Sequence, residues 1–184
     1  MTEDVRTMHY VCTRREAAEI IGSHDRFWVS NCGCREGRGS NCARSRIDVC
    51  LQFQGTTAAS GSGMREIARS DVDAILAEAK NNGLVTRPFR GVEDRSVTEG
   101  ICFCCDDCCG YFLDRDERCD KGAMIESTDA DTCNDCGACI DACYFGARSL
   151  DGARLVVDRD ECHGCGLCVD ACELDSIHMV ARGK

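Results

Sequence analysis

The segment Thr132-Cys-Asn-Asp-Cys-Gly-Ala-Cys-Ile-Asp-Ala-Cys143 returns further along the chain as Glu161-Cys-His-Gly-Cys-Gly-Leu-Cys-Val-Asp-Ala-Cys172. Both stretches share the frame C-x2-C-G-x-C-x-D-A-C, so they are two copies of one supersecondary unit. Short β-branched runs at 154–158 and 176–180 lie between the copies and after the second one. We therefore expect short strands to bracket each cysteine loop.

Cysteine is the most unusual feature of the composition. The chain of 184 residues contains 19 cysteines, whereas aromatic residues make up only 5%. Much of the interior must therefore be organised around something that thiols bind. Disulfides fit poorly, because the number of cysteines is odd and the N-terminus Met1-Thr-Glu-Asp4 shows no secretory signal. Iron–sulfur clusters and zinc are the remaining candidates.

The charge and hydropathy of the chain exclude other classes of protein. A formal net charge of −10 and a pI near 4.8 repel nucleic acid and suit docking against a basic face of a redox partner. No apolar run approaches the roughly 20 residues that span a bilayer. We therefore expect a soluble, cytoplasmic protein. No Ser-His-Asp, Walker or Rossmann pattern is present.

Each copy of the repeat has the spacing of a cluster-binding loop. Three thiols of a C-x2-C-x2-C loop can bind three irons of a cubane, and a fourth thiol follows after three more residues. These residues resemble the bacterial-type two-[4Fe-4S] ferredoxins over about residues 129–184. In that family the fourth cysteine of each run binds the other cluster. The resemblance therefore implies one cluster on Cys133, Cys136, Cys139 and Cys172, and a second on Cys143, Cys162, Cys165 and Cys168.

The two runs depart from the ferredoxin pattern at one position each. Tyr144 and Glu173 stand where the family usually has proline after the fourth cysteine. Proline is not a ligand, so the change affects loop rigidity and solvent access rather than cluster binding.

Nine more cysteines form two groups in the N-terminal part of the chain. The first group has the spacing C-x-C-x7-C-x7-C, and the second has five thiols within residues 102–109. Together they can bind two further cubanes with one thiol to spare, or one cubane and one zinc ion. The nine are Cys32, Cys34, Cys42, Cys50, Cys102, Cys104, Cys105, Cys108 and Cys109. Cys12 and Cys119 lie outside both groups, and we expect both to be buried apolar side chains.

These N-terminal groups resemble those of anaerobe ferredoxin-like proteins that carry C-x-C-R, C-L-x-F and I-C-x-C-C-x-x-C-C segments before a ferredoxin module. The matching segments are Cys32-Gly-Cys-Arg35, Cys50-Leu-Gln-Phe53 and Ile101 to Cys109. The resemblance implies a redox function. Cys108-Cys109-Gly110 also resembles the CCG motif of heterodisulfide reductase catalytic subunits, which hold non-cubane clusters. That likeness implies a site that acts on a disulfide.

Helical patterns dominate the rest of the N-terminal part. Residues 13–16 form a capping box that predicts a helix over 14–21, and apolar spacing predicts another from Ser70 to Gly83. Residues 55–63 are interpreted as a flexible connector, Pro88 as a turn and His163 as an exposed loop residue. We predict an α+β protein. A mainly helical, cluster-organised domain at residues 1–125 precedes a small (βαβ)2-like ferredoxin module at residues 126–184.

The sequence thus predicts a multi-cluster iron–sulfur electron-transfer protein. We expect a subunit of, or a dedicated electron donor or acceptor to, a larger anaerobic oxidoreductase with a flavin or metal site. Two other hypotheses stay open: a redox enzyme whose N-terminal cluster acts on thiols or disulfides, and a zinc-organised interaction module fused to a ferredoxin. Five arginines around the first cysteine group would raise the potential of a cluster that they contact. They are Arg26, Arg35, Arg38, Arg44 and Arg46.

Overall fold

The computed structural model describes residues 6–39, 41–55, 61–114 and 117–183. Its N-terminal elements are β1 (His9–Tyr10), α1 (Arg14–Gly22), β2 (Phe27–Ser30), α2 (Gly33–Gly37), β3 (Cys50–Gln52), β4 (Arg65–Ile67), α3 (Arg69–Asn81), β5 (Val85–Arg90), β6 (Thr98–Cys104), α4 (Gly110–Leu113) and β7 (Cys119–Asp120). The C-terminal elements are β8 (Met124–Thr128), α5 (Ala138–Asp141), β9 (Arg148–Asp151), β10 (Arg154–Val157), α6 (Leu167–Asp170) and β11 (Ile177–Ala181).

A β-sheet is the centre of the N-terminal part. Within the described residues its seven strands follow the order β4-β2-β3-β6-β5-β1-β7. Neighbouring strands are antiparallel except β1 and β7, which are parallel. The expectation of a mainly helical domain is therefore wrong. In β6 the apolar Ile101 and Phe103 alternate with Cys102 and Cys104, and this period of two is the pattern of a strand with one apolar face.

Two helices pack on one face of this sheet. In α1 the Thr13 hydroxyl accepts a hydrogen bond from the Glu16 amide, and the Glu16 carboxylate accepts one from the Thr13 amide, so the predicted capping box is confirmed. In α3 the Asp71 carboxylate accepts a hydrogen bond from the Ala68 amide at 3.0 Å. The N-cap is therefore Ala68, two residues before the predicted cap Ser70, and the helix begins at Arg69.

The apolar core lies between these helices and the sheet. It is formed by the helix residues Ala17, Ile21, Val72, Ile75 and Ala79 and the strand residues Phe27, Val29, Leu51, Ile101 and Phe103. The buried Cys12 belongs to the same cluster, as expected for an apolar thiol. Because strand residues alternate between faces, the other face of the sheet carries a different set of side chains.

One turn expected from the sequence is absent. Pro88 lies within β5, opposite Ile101 of β6, so the predicted turn is wrong. A strand tolerates proline where its ladder does not need the missing N–H. The predicted connector at 55–63 lies partly outside the described residues.

The C-terminal part repeats one arrangement of elements. The order is strand, helix, strand in β8-α5-β9 and again in β10-α6-β11. Strands β9 and β10 form a hairpin, and β8 pairs antiparallel with β11. Three equivalent pairs of positions have positive φ: Asp135 and Gly164, Gly137 and Gly166, and Gly146 and Asp175. The two sequence copies therefore fold alike. None of the helices in the described ranges is long and apolar enough to cross a membrane.

Candidate metal centres

The C-terminal module brings four of its cysteines around one cavity. Cys143 follows α5, and the other three come from the second copy of the repeat. The four are Cys143, Cys162, Cys165 and Cys168. Gly164 and Gly166 line the same space, both with positive φ, so backbone approaches the thiols without a side chain between them. The Leu167 amide donates a hydrogen bond to Cys165.

The other four C-terminal cysteines gather at the opposite end of the module. Cys133, Cys136 and Cys172 line a cavity of about 300 Å³, and the Ser176 amide donates to the Cys172 thiol at 3.4 Å. The fourth, Cys139, is buried outside the lining of this cavity and packs in one cluster with Cys172 and with Cys168 of the first group. Each of the two cavities is thus lined by thiols from both copies of the repeat.

A buried ion pair lies between these two groups. Arg148 and Glu126 form a salt bridge of 2.6 Å, and each side chain is only 1% exposed. The Arg148 guanidinium also donates to the Cys139 thiol at 3.3 Å, while both charged residues line the cavity of the other group. Arg148 thus brings a fixed positive charge to both thiol groups.

Six of the nine N-terminal cysteines surround a third cavity, of about 440 Å³. We call them the thiol ring: Cys32, Cys34, Cys50, Cys102, Cys104 and Cys109. Neighbouring thiols contact one another in the order Cys102, Cys50, Cys32, Cys34, Cys109 and Cys104.

The sheet explains why these thiols meet. Leu51 of β3 pairs with Ile101 of β6, and both face the helices. Their neighbours Cys50, Cys102 and Cys104 therefore face the other side of the sheet together. The hydrogen bond from Cys50 lowers the pKa of the Cys102 thiol, with His9 and Arg87 acting in the same direction. Thiolate is the form that binds metal.

A buried arginine anchors the thiol ring. The Arg87 guanidinium is 1% exposed and donates to the Cys109 thiol at 3.1 Å and to the Glu117 carboxylate at 2.8 Å. Burial alone would lower the pKa of Arg87, but the thiols of Cys104, Cys119 and Cys109 raise it above its ordinary value. The guanidinium is therefore charged and offsets thiolate charge in the ring.

The remaining three N-terminal cysteines form a separate group, which we call the thiol triad: Cys42, Cys105 and Cys108. Their sulfur atoms lie 3.6 Å (Cys42 to Cys105), 3.2 Å (Cys105 to Cys108) and 3.4 Å (Cys108 to Cys42) apart. The buried Arg35 lies beside them, with its guanidinium 3.9 Å from the Cys105 sulfur. The crowded segment 102–109 is thus divided, with three thiols in the ring and two in the triad.

An aromatic cluster fills the space between the thiol ring and the C-terminal module. We call it the aromatic bridge: Tyr111, Phe112, Tyr144, Phe145 and His163. His163 stacks on Phe145 with ring centroids 4.2 Å apart, and the Tyr111 hydroxyl lies 3.0 Å from its Nε2 atom. Arg87 packs over the Tyr111 ring at 4.6 Å. The prediction of an exposed loop residue at His163 is wrong, because these rings half-bury it.

The comparisons with known proteins agree with the C-terminal geometry. Residues 125–173 match the family model of the 4Fe-4S dicluster domain. No curated protein matches the chain. The C-terminal part of the chain is therefore a ferredoxin-like iron–sulfur module.

The C-terminal thiols suit such clusters in their chemistry and spacing. Four thiols border one cavity and three border the other, and backbone N–H groups reach several of the sulfurs. Cys133, Cys136, Cys139 and Cys172 would hold one cluster, and Cys143, Cys162, Cys165 and Cys168 the other.

The sequence did not identify three residues at the thiol ring. Arg87, His9 and Glu117 all line its cavity, with the His9 Nε2 atom 4.0 Å from the Cys102 sulfur. The sequence of β5 contains one signal for Arg87: it lies on the same strand face as the apolar Val85 and Phe89, two residues from each. A charged residue at a buried strand position requires a buried partner.

The basic group around the first cysteines is largely paired with carboxylates. Of its five arginines, Arg35 is buried against the thiol triad. Three others form salt bridges: Arg26 with Glu66, Arg44 with Asp106, and Arg46 with Asp48 and Glu78. Cys119 is half-buried beside Arg87, next to the ring but outside the lining of its cavity.

Proposed function

We propose that the protein is a multi-cluster iron–sulfur electron carrier. It serves as a cytoplasmic subunit of, or a dedicated electron donor or acceptor to, a larger anaerobic oxidoreductase. The observation that carries the proposal is the gathering of eight cysteines at or beside two cavities within the region that matches the dicluster domain. Bound [4Fe-4S] clusters supply one-electron oxidation and reduction.

The two C-terminal groups differ in their access to solvent, which suggests where electrons enter. Cys136 alone is exposed among the described cysteines, and its cavity is lined also by the exposed Glu173 and Leu174. The other group lies against the aromatic bridge, so its thiols face the interior of the molecule. We therefore place partner docking at the Cys136 end, with a partner that offers a basic rim and a small apolar patch.

The chain holds the module firmly against the N-terminal part. Arg14 forms a salt bridge with Asp170, and the Gly122 amide donates to the carbonyl of His163 at 2.9 Å. Together with the aromatic bridge, these contacts join the module to the side of the thiol ring. A fixed separation favours electron exchange between the two parts of one chain.

The test of this function is anaerobic purification with quantitation of iron and acid-labile sulfide. We expect a brown protein with at least about eight irons and as many sulfides per chain, since two cubanes need that number. Dithionite should bleach the visible absorption and produce the electron paramagnetic resonance signal of reduced clusters. A colourless protein without labile sulfide would overturn the proposal.

A second function, thiol or disulfide redox catalysis, is favoured by the thiol ring. Its six thiols exceed the four that a cubane uses, and its cavity also contains His9 and Glu117, whose side chains lie 3.9 Å apart. Reduction of one disulfide consumes two electrons and two protons, and His9, whose Nε2 atom lies 4.0 Å from the Cys102 sulfur, would be the proton donor.

The assay for this second function supplies the protein and glutathione disulfide with an excess of dithionite as the electron source, and measures the thiols released above those formed without protein. We expect catalytic turnover in the wild type and a loss of about tenfold or more in His9→Ala, with His178→Ala, an exposed histidine on β11, as the matched control. Release of no more thiol than the stored electrons allow would contradict it.

A further inference from the structure

The spacing of the thiol triad is that of ligands around a single metal ion. A tetrahedral zinc ion with Zn–S bonds of about 2.3 Å places its sulfurs about 3.8 Å apart. The three sulfur pairs of the triad lie at 3.6, 3.2 and 3.4 Å. All three edges are within about 0.6 Å of the tetrahedral value, so one ion can bind all three sulfurs after small side-chain shifts.

The ferredoxin module provides an internal contrast. A cubane places each thiolate on a different iron, so its thiols stand further apart than the edge of one tetrahedron. Among the described residues, the triad is the one group of three cysteine, histidine or acidic side chains whose ligand atoms all lie within 4.8 Å of one another. The two C-terminal groups of four thiols do not have this close spacing. The sulfur atoms of the triad are therefore closer together than those of the two C-terminal groups, as a site for a single metal ion requires.

The protein itself brings the three ligands together. Cys105 and Cys108 lie three residues apart in the turn after β6, and both are buried. Cys42 comes from the loop 41–46, which is tied to the same turn because the Ala43 amide donates to Asp107 at 2.8 Å and Arg44 pairs with Asp106. The site is thus preorganised by contacts that do not involve the thiols.

The surrounding charge also suits one divalent ion. Three thiolates and one Zn²⁺ leave a single negative charge, which costs free energy in a buried site unless it is balanced. Arg35 is 1% exposed and supplies one positive charge beside Cys105. Its guanidinium is held in place by the carbonyls of Arg46 at 2.9 Å and Phe103 at 3.2 Å. The complete group is electrically neutral.

We propose that Cys42, Cys105 and Cys108 bind one zinc ion, separate from the iron–sulfur clusters. No fourth cysteine, histidine or carboxylate of the described residues joins the three ligand atoms. The fourth position therefore takes a water molecule, which enters beside the half-buried Cys42. Three protein ligands and one exchangeable ligand are the pattern of zinc sites that bind or activate a small molecule, rather than of closed structural sites.

The experiment measures zinc, iron and sulfide in the full-length protein purified without oxygen. We expect about one zinc per chain in the wild type, and loss of that zinc in Cys42→Ser with iron and sulfide unchanged. Cys42 is the variant of choice, because it is the least buried of the three ligands. The matched control is Cys50→Ser in the thiol ring, which should keep the zinc.

Cobalt(II) gives a second measurement that does not depend on a variant. Cobalt added to zinc-depleted wild-type protein should produce the visible ligand-field bands of a tetrahedral thiolate site, and added zinc should remove them. Loss of iron and sulfide in Cys42→Ser, or wild-type protein with neither zinc nor cobalt bands, would overturn the proposal. A protein that lacks iron in every variant but keeps its zinc would overturn the proposed electron carrier and leave this site standing.

Discussion

The N-terminal and C-terminal parts place their thiols by different means. In the C-terminal module the thiols stand on short loops of a repeated motif, and each of the two cavities is lined by thiols from both copies. In the N-terminal part they stand on strand faces and adjoining turns, and the ring joins residues as distant in sequence as Cys32 and Cys109. Loop spacing is local, whereas a strand face depends on the pairing of the whole sheet.

This difference has a consequence for the effect of substitutions. In the C-terminal module, substitution of one cysteine should remove the metal from its own group of thiols, while the other thiol groups keep their metal. The ring, by contrast, relies on Arg87 and on the register of β3 with β6 as much as on its cysteines. Changes in the two regions should therefore have separable effects, and the following predictions are arranged from the largest to the smallest.

The largest effect is expected from Cys139→Ser. It should remove one of the two clusters proposed for the module, with a loss of about four irons per chain, because the thiolate both binds metal and closes its loop. Iron analysis and the resonance signal of the reduced protein measure the loss. Cys12→Ser, a buried thiol of the apolar core, is the control and should keep all of the iron. Full iron content in Cys139→Ser would refute the ligand assignment.

Gly164→Ala tests how closely the backbone of the second cysteine loop must approach strand β8. A Cβ atom at Gly164 would collide with the carbonyl oxygen of Met124, and φ there is +82°. We expect a loss of about 3 kcal/mol in the free energy of unfolding, from the clash and the strain together. Gly146→Ala, with φ +71° and no atom within 4 Å, should lose about 1 kcal/mol. If denaturant titrations gave equal losses of unfolding free energy for the two variants, the clash at Gly164 would not contribute to stability.

Arg87→Met tests the anchor of the thiol ring. It removes the partner of Glu117 and the donor to Cys109, and we expect a loss of about 2 kcal/mol together with faster amide exchange in β5 and β6. Iron held by the C-terminal module should be unaffected. The control Arg26→Met removes an exposed salt bridge with Glu66 and should leave exchange unchanged. Unaltered exchange in Arg87→Met would mean that the cysteines alone hold the ring.

The smallest effect is expected from Tyr111→Phe in the aromatic bridge. The ring remains, but the hydrogen bond of 3.0 Å to His163 is lost, which should cost about 1 kcal/mol. The chemical shifts of the His163 ring should change as well. Tyr10→Phe, which loses a bond of 2.8 Å to Thr98 away from the bridge, is the matched variant and should leave those shifts alone. If the His163 shifts were identical in the wild type, Tyr111→Phe and Tyr10→Phe, the hydrogen bond between Tyr111 and His163 would be refuted.

Features with local causes were predicted correctly from the sequence. The Thr13 capping box produces α1 because two hydrogen bonds within one turn suffice. The short runs at 154–158 and 176–180 form β10 and β11, and the repeated motif folds into two similar units because each loop carries its own glycines.

The sequence by itself determined that thiols organise this protein and that the last part is a repeated ferredoxin-like unit. Only the tertiary structure decided how the segment 102–109 divides, because Cys104 ends β6 and lines the cavity of the thiol ring, whereas Cys105 begins the turn after β6 and packs with the apolar core. The role of Arg87 and the burial of His163 also depend on partners far along the chain. Strand pairing and ring packing are non-local, so spacing alone does not reveal them.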